Sequence, residues 1–126
     1  MSNAPTTLLG LVPLIRAIVR SSATATATAV TADDSGTLFI NMSTSAHVYT
    51  IPTLVLGAGK HWLFYNGEGT TTIAITGGTA SKMMVDDSAT ATTNTSAAHA
   101  IGDCAMVVCD GTNYYCFEIH GTWTAS

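Results

Sequence analysis

The chain has 126 residues, a length that suits one domain, and a net charge of −4 at pH 7 with its histidines neutral. Charged residues make up 10% of it, against about 25% in an ordinary soluble domain, and threonine, alanine and serine together supply about 40%. That polar but uncharged balance favours a component of a large assembly, and four cations (Arg16, Arg20, Lys60 and Lys82) are too few for a phosphate-neutralising face, so no direct nucleic-acid partner is expected.

Residues 1 to about 20 read as an apolar arm. Leu8, Leu11, Val12, Ile15, Ile18 and Val19 recur at spacings of three and four, and Arg16 and Arg20 lie four apart. The spacing predicts a short amphipathic helix starting near Pro13, which suits a first turn. Either the helix packs on its own body or the stripe lies on a partner. The run is interrupted by Arg16 and falls short of the roughly 20 residues that span a bilayer, so no membrane segment is expected. A secretory signal would carry its positive charge ahead of the apolar run. Residues 21–29, "SSATATATA", form a spacer, read as an edge strand or an extended linker.

From Val30 onward the chain reads as strands. They are "GTLFINM" (Gly36 to Met42), "HVYTIP" (His47 to Pro52), "KHWLFYN" (Lys60 to Asn66), "TTTIAIT" (Thr70 to Thr76) and the weaker "KMMVD". In the second, Val48 and Thr50 should share one face and Tyr49 and Ile51 the other. "NGEG" after Asn66 is a hairpin signal. "SATATTNTSAA" (88–98) is a second low-complexity stretch. "CAMVVCD" and "NYYCFEIH" should form a hairpin around Asp110, Gly111, Thr112 and Asn113, with Cys109 opposite Tyr114 and Val107 opposite Cys116. Short strands with turns every eight to twelve residues imply an all-β fold, a small antiparallel barrel or sandwich with an N-terminal arm. Two parts are expected, the arm and spacer (1–29) and a β-rich body (30–126).

Little in the chain suggests chemistry. Cys104, Cys109 and Cys116 are an odd count with no CxxC, and read as small core residues. His47, His61, His99 and His120 are scattered without the close ligand pairs of zinc sites. "GAGKH" (57–61) mimics a phosphate loop, but Leu54 stands at its first glycine position and His61 at its hydroxyl position. No GxSxG elbow is present. Asp33–Asp34 and Asp86–Asp87 read as solvated turn acids, and Asn41 and Asn94 begin glycosylation-type triplets. No cofactor, no metal and no enzymatic activity are expected.

One ordered set of motifs remains. "TADDSGTLFIN", "YTIP", "GAGKHWLFYN", "TIAITGG" and "GDCAMVVCDGTNYYCFEIHGTW" follow one another between Thr31 and Trp123. The set resembles a β-rich module of tailed-phage virion proteins. Asp110, Gly111, Thr112, Asn113, Tyr114 and Tyr115 match its last motif residue by residue. The three cysteines and the Thr/Ala stretch before His99 depart from it. The resemblance implies a bacteriophage structural protein. The favoured reading is a capsid decoration (cement) protein on the outer capsid surface, binding the major capsid protein as a homotrimer, with the arm holding it down or linking protomers. The alternative is a tail-fibre or spike module in which Trp62, Tyr114, Tyr115 or Trp123 stack on host glycans. A small secreted or periplasmic enzyme is the third reading; "SSATA" resembles a signal cleavage site, and a mature N-terminus near Ala25 would support it.

Overall fold

A computed structural model describes residues 19–97 and 101–126 of the protein. The described residues form β1 (Val19–Ser22), β2 (Ala27–Ala29), β3 (Leu38–Asn41), β4 (His47–Thr50), β5 (Lys60–Asn66), β6 (Ile73–Thr76), β7 (Met83–Val85), β8 (Ser88–Ala91), β9 (Thr93–Ser96), β10 (Cys104–Cys109), β11 (Tyr114–His120) and β12 (Trp123–Ala125). A 3-10 turn (Ala32–Asp34) and a single helical turn, α1 (Leu54–Gly57), interrupt them. The strands build one seven-stranded sheet, ordered β1-β3-β5-β10-β11-β7-β8, and one five-stranded sheet, ordered β12-β9-β6-β4-β2. The protein is an all-β sandwich of two facing sheets.

The path of the chain differs from an antiparallel meander. From β1 to β6 it crosses between sheets after every strand, so β1, β3 and β5 pair in parallel in one sheet and β2, β4 and β6 in the other. The first half is therefore three stacked coils, β1–β2, β3–β4 and β5–β6. The second half is mostly antiparallel, β10 with both β5 and β11, β9 with both β6 and β12, and β7 with β8, while β7 joins β11 in parallel. "NGEG" is accordingly not a hairpin. It carries the chain from β5 across to the other sheet, and the Asn66 side chain holds that corner from inside, donating to the Thr71 carbonyl at 2.9 Å.

Equivalent residues stack from coil to coil. Phe39 lies beside Phe64 with ring centroids 5.6 Å apart, and Asn41 donates to the Asn66 side-chain oxygen at 3.2 Å. Tyr49 completes the aromatic centre at 5.1 Å from Phe64, and His47 stacks on Tyr49 at 4.2 Å. Along β4, His47 and Tyr49 face in while Val48 and Thr50 face out, the expected alternation. Trp62, Ile73, Ile75, Val107 and Tyr114 are buried with them. Each large side chain contributes about 1.5–3 kcal/mol on burial, whereas the Arg20–Asp34 ion pair, with Arg20 49% exposed, is of the kind that contributes about 0–1 kcal/mol. Apolar stacking between coils holds the sandwich.

Both low-complexity stretches belong to the sheets. The Ala/Thr spacer supplies β2, an edge strand rather than a free linker, and residues 88–96 supply β8 and β9. Threonine's preference for a pleated, half-buried surface explains why such poor patterns still pair. Asp86 and Asp87, with φ of 49° and 62°, form the two-residue turn joining β7 to β8. The arm expectation is corrected at its end: Val19 and Arg20 are not helical but begin β1, paired with Leu38 and Phe39. Leu8, Leu11, Val12, Ile15, Ile18 and Arg16 lie outside the described residues, as does His99.

Candidate interaction surface

The hairpin motif is built by one carboxylate. Asp110 accepts from the backbone N–H groups of Thr112 at 2.7 Å and Asn113 at 2.8 Å, and its second oxygen accepts from the Tyr115 hydroxyl at 2.8 Å. The Asn113 and Thr112 N–H groups and the Tyr115 hydroxyl hold its carboxyl below the usual range. Gly111 supplies the positive φ of 90° that this turn needs. The register is the expected one, Cys109 opposite Tyr114 and Val107 opposite Cys116.

The two tyrosines part company. Tyr114 points into the core, donates to the Pro52 carbonyl at 2.6 Å and accepts from the Thr79 N–H at 3.0 Å, tying three segments together. Tyr115 points to the opposite side of the sheet. Trp62, Tyr114 and Trp123 are buried, so of the four aromatics weighed for sugar stacking only Tyr115 is part-exposed. Cys109 and Cys116 are buried and Cys104 half-buried, all as free thiols. Burial pushes the Cys116 thiol up to about 11, opposing thiolate chemistry. Among the described residues no three His, Cys, Asp or Glu side chains gather to hold a metal. Asn41 and Asn94, which begin the glycosylation-type triplets, are both buried.

What sequence reasoning missed is the outer face of the seven-stranded sheet. In-register pairing lines Val19, Leu38, Leu63, Met106 and Phe117 into one apolar row across β1, β3, β5, β10 and β11. A second row runs Ile40, Tyr65, Cys104, His120, and a third His61, Val108, Tyr115, Met84. The three rows contain no Asp, Glu, Lys or Arg. Val19 is 56% exposed and Phe117 52%, with Ile119 exposed beside them. Contiguous apolar patches of this kind mark interaction sites. The signal was present in "WLFYN" and "CAMVVC", which are apolar in both phases of the strand period and so imply cover on both faces. A smaller apolar spot, Val55 and Leu56 on α1, projects at the end of the sandwich that carries the Asp110–Asn113 turn; a Cβ on Gly111 would lie 3.2 Å from that of Ala58.

Among the described residues no helix is long and apolar enough to cross a membrane. No family model matches the chain, and no curated protein matches it.

Proposed function

We propose that this chain is a structural virion protein that docks on an assembled viral shell and stabilises it, with the outer face of the seven-stranded sheet as its contact surface. The observation that carries the reading is the three-row face without Asp, Glu, Lys or Arg, centred on Met106 and assembled by paired strands. A partner that binds the assembled shell but not its dissociated subunits shifts the equilibrium towards assembly. In the trimer that the motif set implies, three such faces act together through effective concentration, so each need bind only weakly. Tyr115, fixed by its hydrogen bond to Asp110, connects the matched hairpin motif to this face.

The test is co-sedimentation of purified protein with expanded shells. Met106→Glu places a charge in the middle row and should weaken shell binding by about tenfold or more. Circular dichroism checks that the variant remains folded, since the Met106 side chain points away from the core. Wild-type protein that fails to sediment with shells, or a folded variant that binds as wild type does, contradicts the proposal.

A further inference from the structure

β1 and the Ala/Thr spacer set small and polar side chains where the later coils set large ones. Arg20 and Ser22 hold the positions that Phe39 and Asn41 hold in the next coil, and Thr28 pairs with Tyr49 in the facing sheet. The result is a cleft of about 240 Å³ lined by Arg20, Ser21, Ser22 and Thr28 over Phe39 and Tyr49. The Arg20 guanidinium lies 5.3 Å over the Phe39 ring and meets Asp34 at 3.0 Å. Thr28 shares a hydrogen bond of 2.7 Å with the His47 ring. Ser22 Oγ accepts from the Ala25 N–H at 3.1 Å and keeps its own proton to donate. The Tyr49 hydroxyl is the unexplained group. Tyr49 is 1% exposed and lines the cleft, yet its hydroxyl makes no hydrogen bond among the described residues. Tyr114, equally buried, uses its hydroxyl twice. Buried tyrosine hydroxyls ordinarily find a partner.

We propose that this cleft is a binding site for a small neutral polyhydroxylated ligand, a single sugar ring, with Tyr49, Ser22 and Arg20 as its hydrogen-bonding groups. The lining decides the class. Hydroxyls both donate and accept, so they match a ligand whose own hydroxyls do the same. Arg20 is already matched by Asp34, and among the described residues no carboxylate lines the cleft, so charge favours neither an anion nor a cation. An apolar ligand would strand the Tyr49 and Ser22 hydroxyls. A flat aromatic ligand would find the Phe39 ring already covered by Arg20. The volume is below the roughly 300–1,000 Å³ of drug-sized sites and suits one ring. Arg20 and Ser22 share the inward phase of Phe39, so the site lies on the inner side of β1 and is independent of docking through the outer face.

Amide chemical-shift titration of the full chain with glucose, galactose, mannose and N-acetylglucosamine tests this. At least one sugar should shift the amides of Arg20, Ser22, Thr28 and Tyr49 saturably, with half-saturation at about 1–10 mM. Tyr49→Phe should weaken that sugar about threefold to tenfold without lowering Tm, because the lost hydroxyl has no partner within the protein. Ala25→Trp, which fills the cleft, should abolish the shifts while the β5 and β10 amides keep their wild-type positions. Absence of saturable shifts with all four sugars assigns the cleft to solvent alone and overturns the proposal. Equal binding by wild type and Tyr49→Phe overturns it too. So does tenfold tighter binding of glucuronate than of glucose, which would make the cleft a carboxylate site.

Discussion

Asn66 does more for this fold than its polarity suggests. It is buried, accepts from Asn41, donates to the Thr71 carbonyl and accepts from the Glu68 N–H at 3.3 Å. Asn66→Ala strands several of these groups without partners and should lower stability by about 2–3 kcal/mol in denaturant titration. Asn66→Asp sets a buried carboxylate oxygen against the Thr71 carbonyl and should cost at least as much as Asn66→Ala. A second consequence concerns pH. Burial raises Tyr49 to about 12 and Cys116 to about 11. Both groups stay neutral in the folded state while the unfolded chain ionises near the ordinary values of 10.0 and 9.0. Stability is therefore complete below about pH 9 and is lost as pH rises towards 12. Thermal melts across pH 8–11 should show a falling Tm, and a flat profile would contradict this placement of Tyr49 and Cys116. The burial of Tyr49 was readable from strand alternation. The role of Asn66 was not, because a buried asparagine and a turn asparagine look alike in a sequence.

The turn that the sequence specified best is the one with a complete side-chain mechanism. Asp110→Ala removes both backbone caps and the Tyr115 contact, and should lower Tm while leaving the register unchanged; a Tm equal to wild type would show that the turn is set by Gly111 alone. Where turn residues bend the chain between sheets instead, the same local chemistry misled. "NGEG" has hairpin residues, but its strands belong to different sheets, and local propensity does not report which neighbour a strand will choose. The clue was a repeat: "LFIN" at 38–41 and "LFYN" at 63–66 are the same strand in successive coils, matched in register. Packing of one connection makes a sharp prediction. A Cβ on Gly78 would lie 2.6 Å from the Ile51 carbonyl oxygen and 2.7 Å from the Thr53 nitrogen. Both are backbone atoms with no freedom to retreat, so Gly78→Ala should cost about 1–3 kcal/mol, measurable by chemical unfolding.

For the molecule as a whole, composition and pattern were enough to reach an all-β fold, with barrel and sandwich both open, but not its winding. Three parallel coils followed by a mostly antiparallel second half produce two features that no single strand reveals. One is the outer face without Asp, Glu, Lys or Arg, assembled from residues of six strands far apart in the chain. The other is a cleft at the first coil, lined by Arg20, Ser21, Ser22, Ala25 and Thr28 over Phe39 and Tyr49, where the small and polar residues of β1 and the spacer replace the large side chains of the later coils. The low charge content now has a physical location, since the uncharged surface is concentrated where strands are apolar in both phases. A surface of that kind suits a protein that spends its life in contact with others. Its abundance in a purified particle, by quantitative mass spectrometry against the major shell protein, is the measurement to make. A ratio near one, or a simple fraction of that order, is the predicted result for a chain that docks across the shell. Absence from the particle would contradict the account, and a ratio of a few hundredths would place the chain in the tail and refute shell docking.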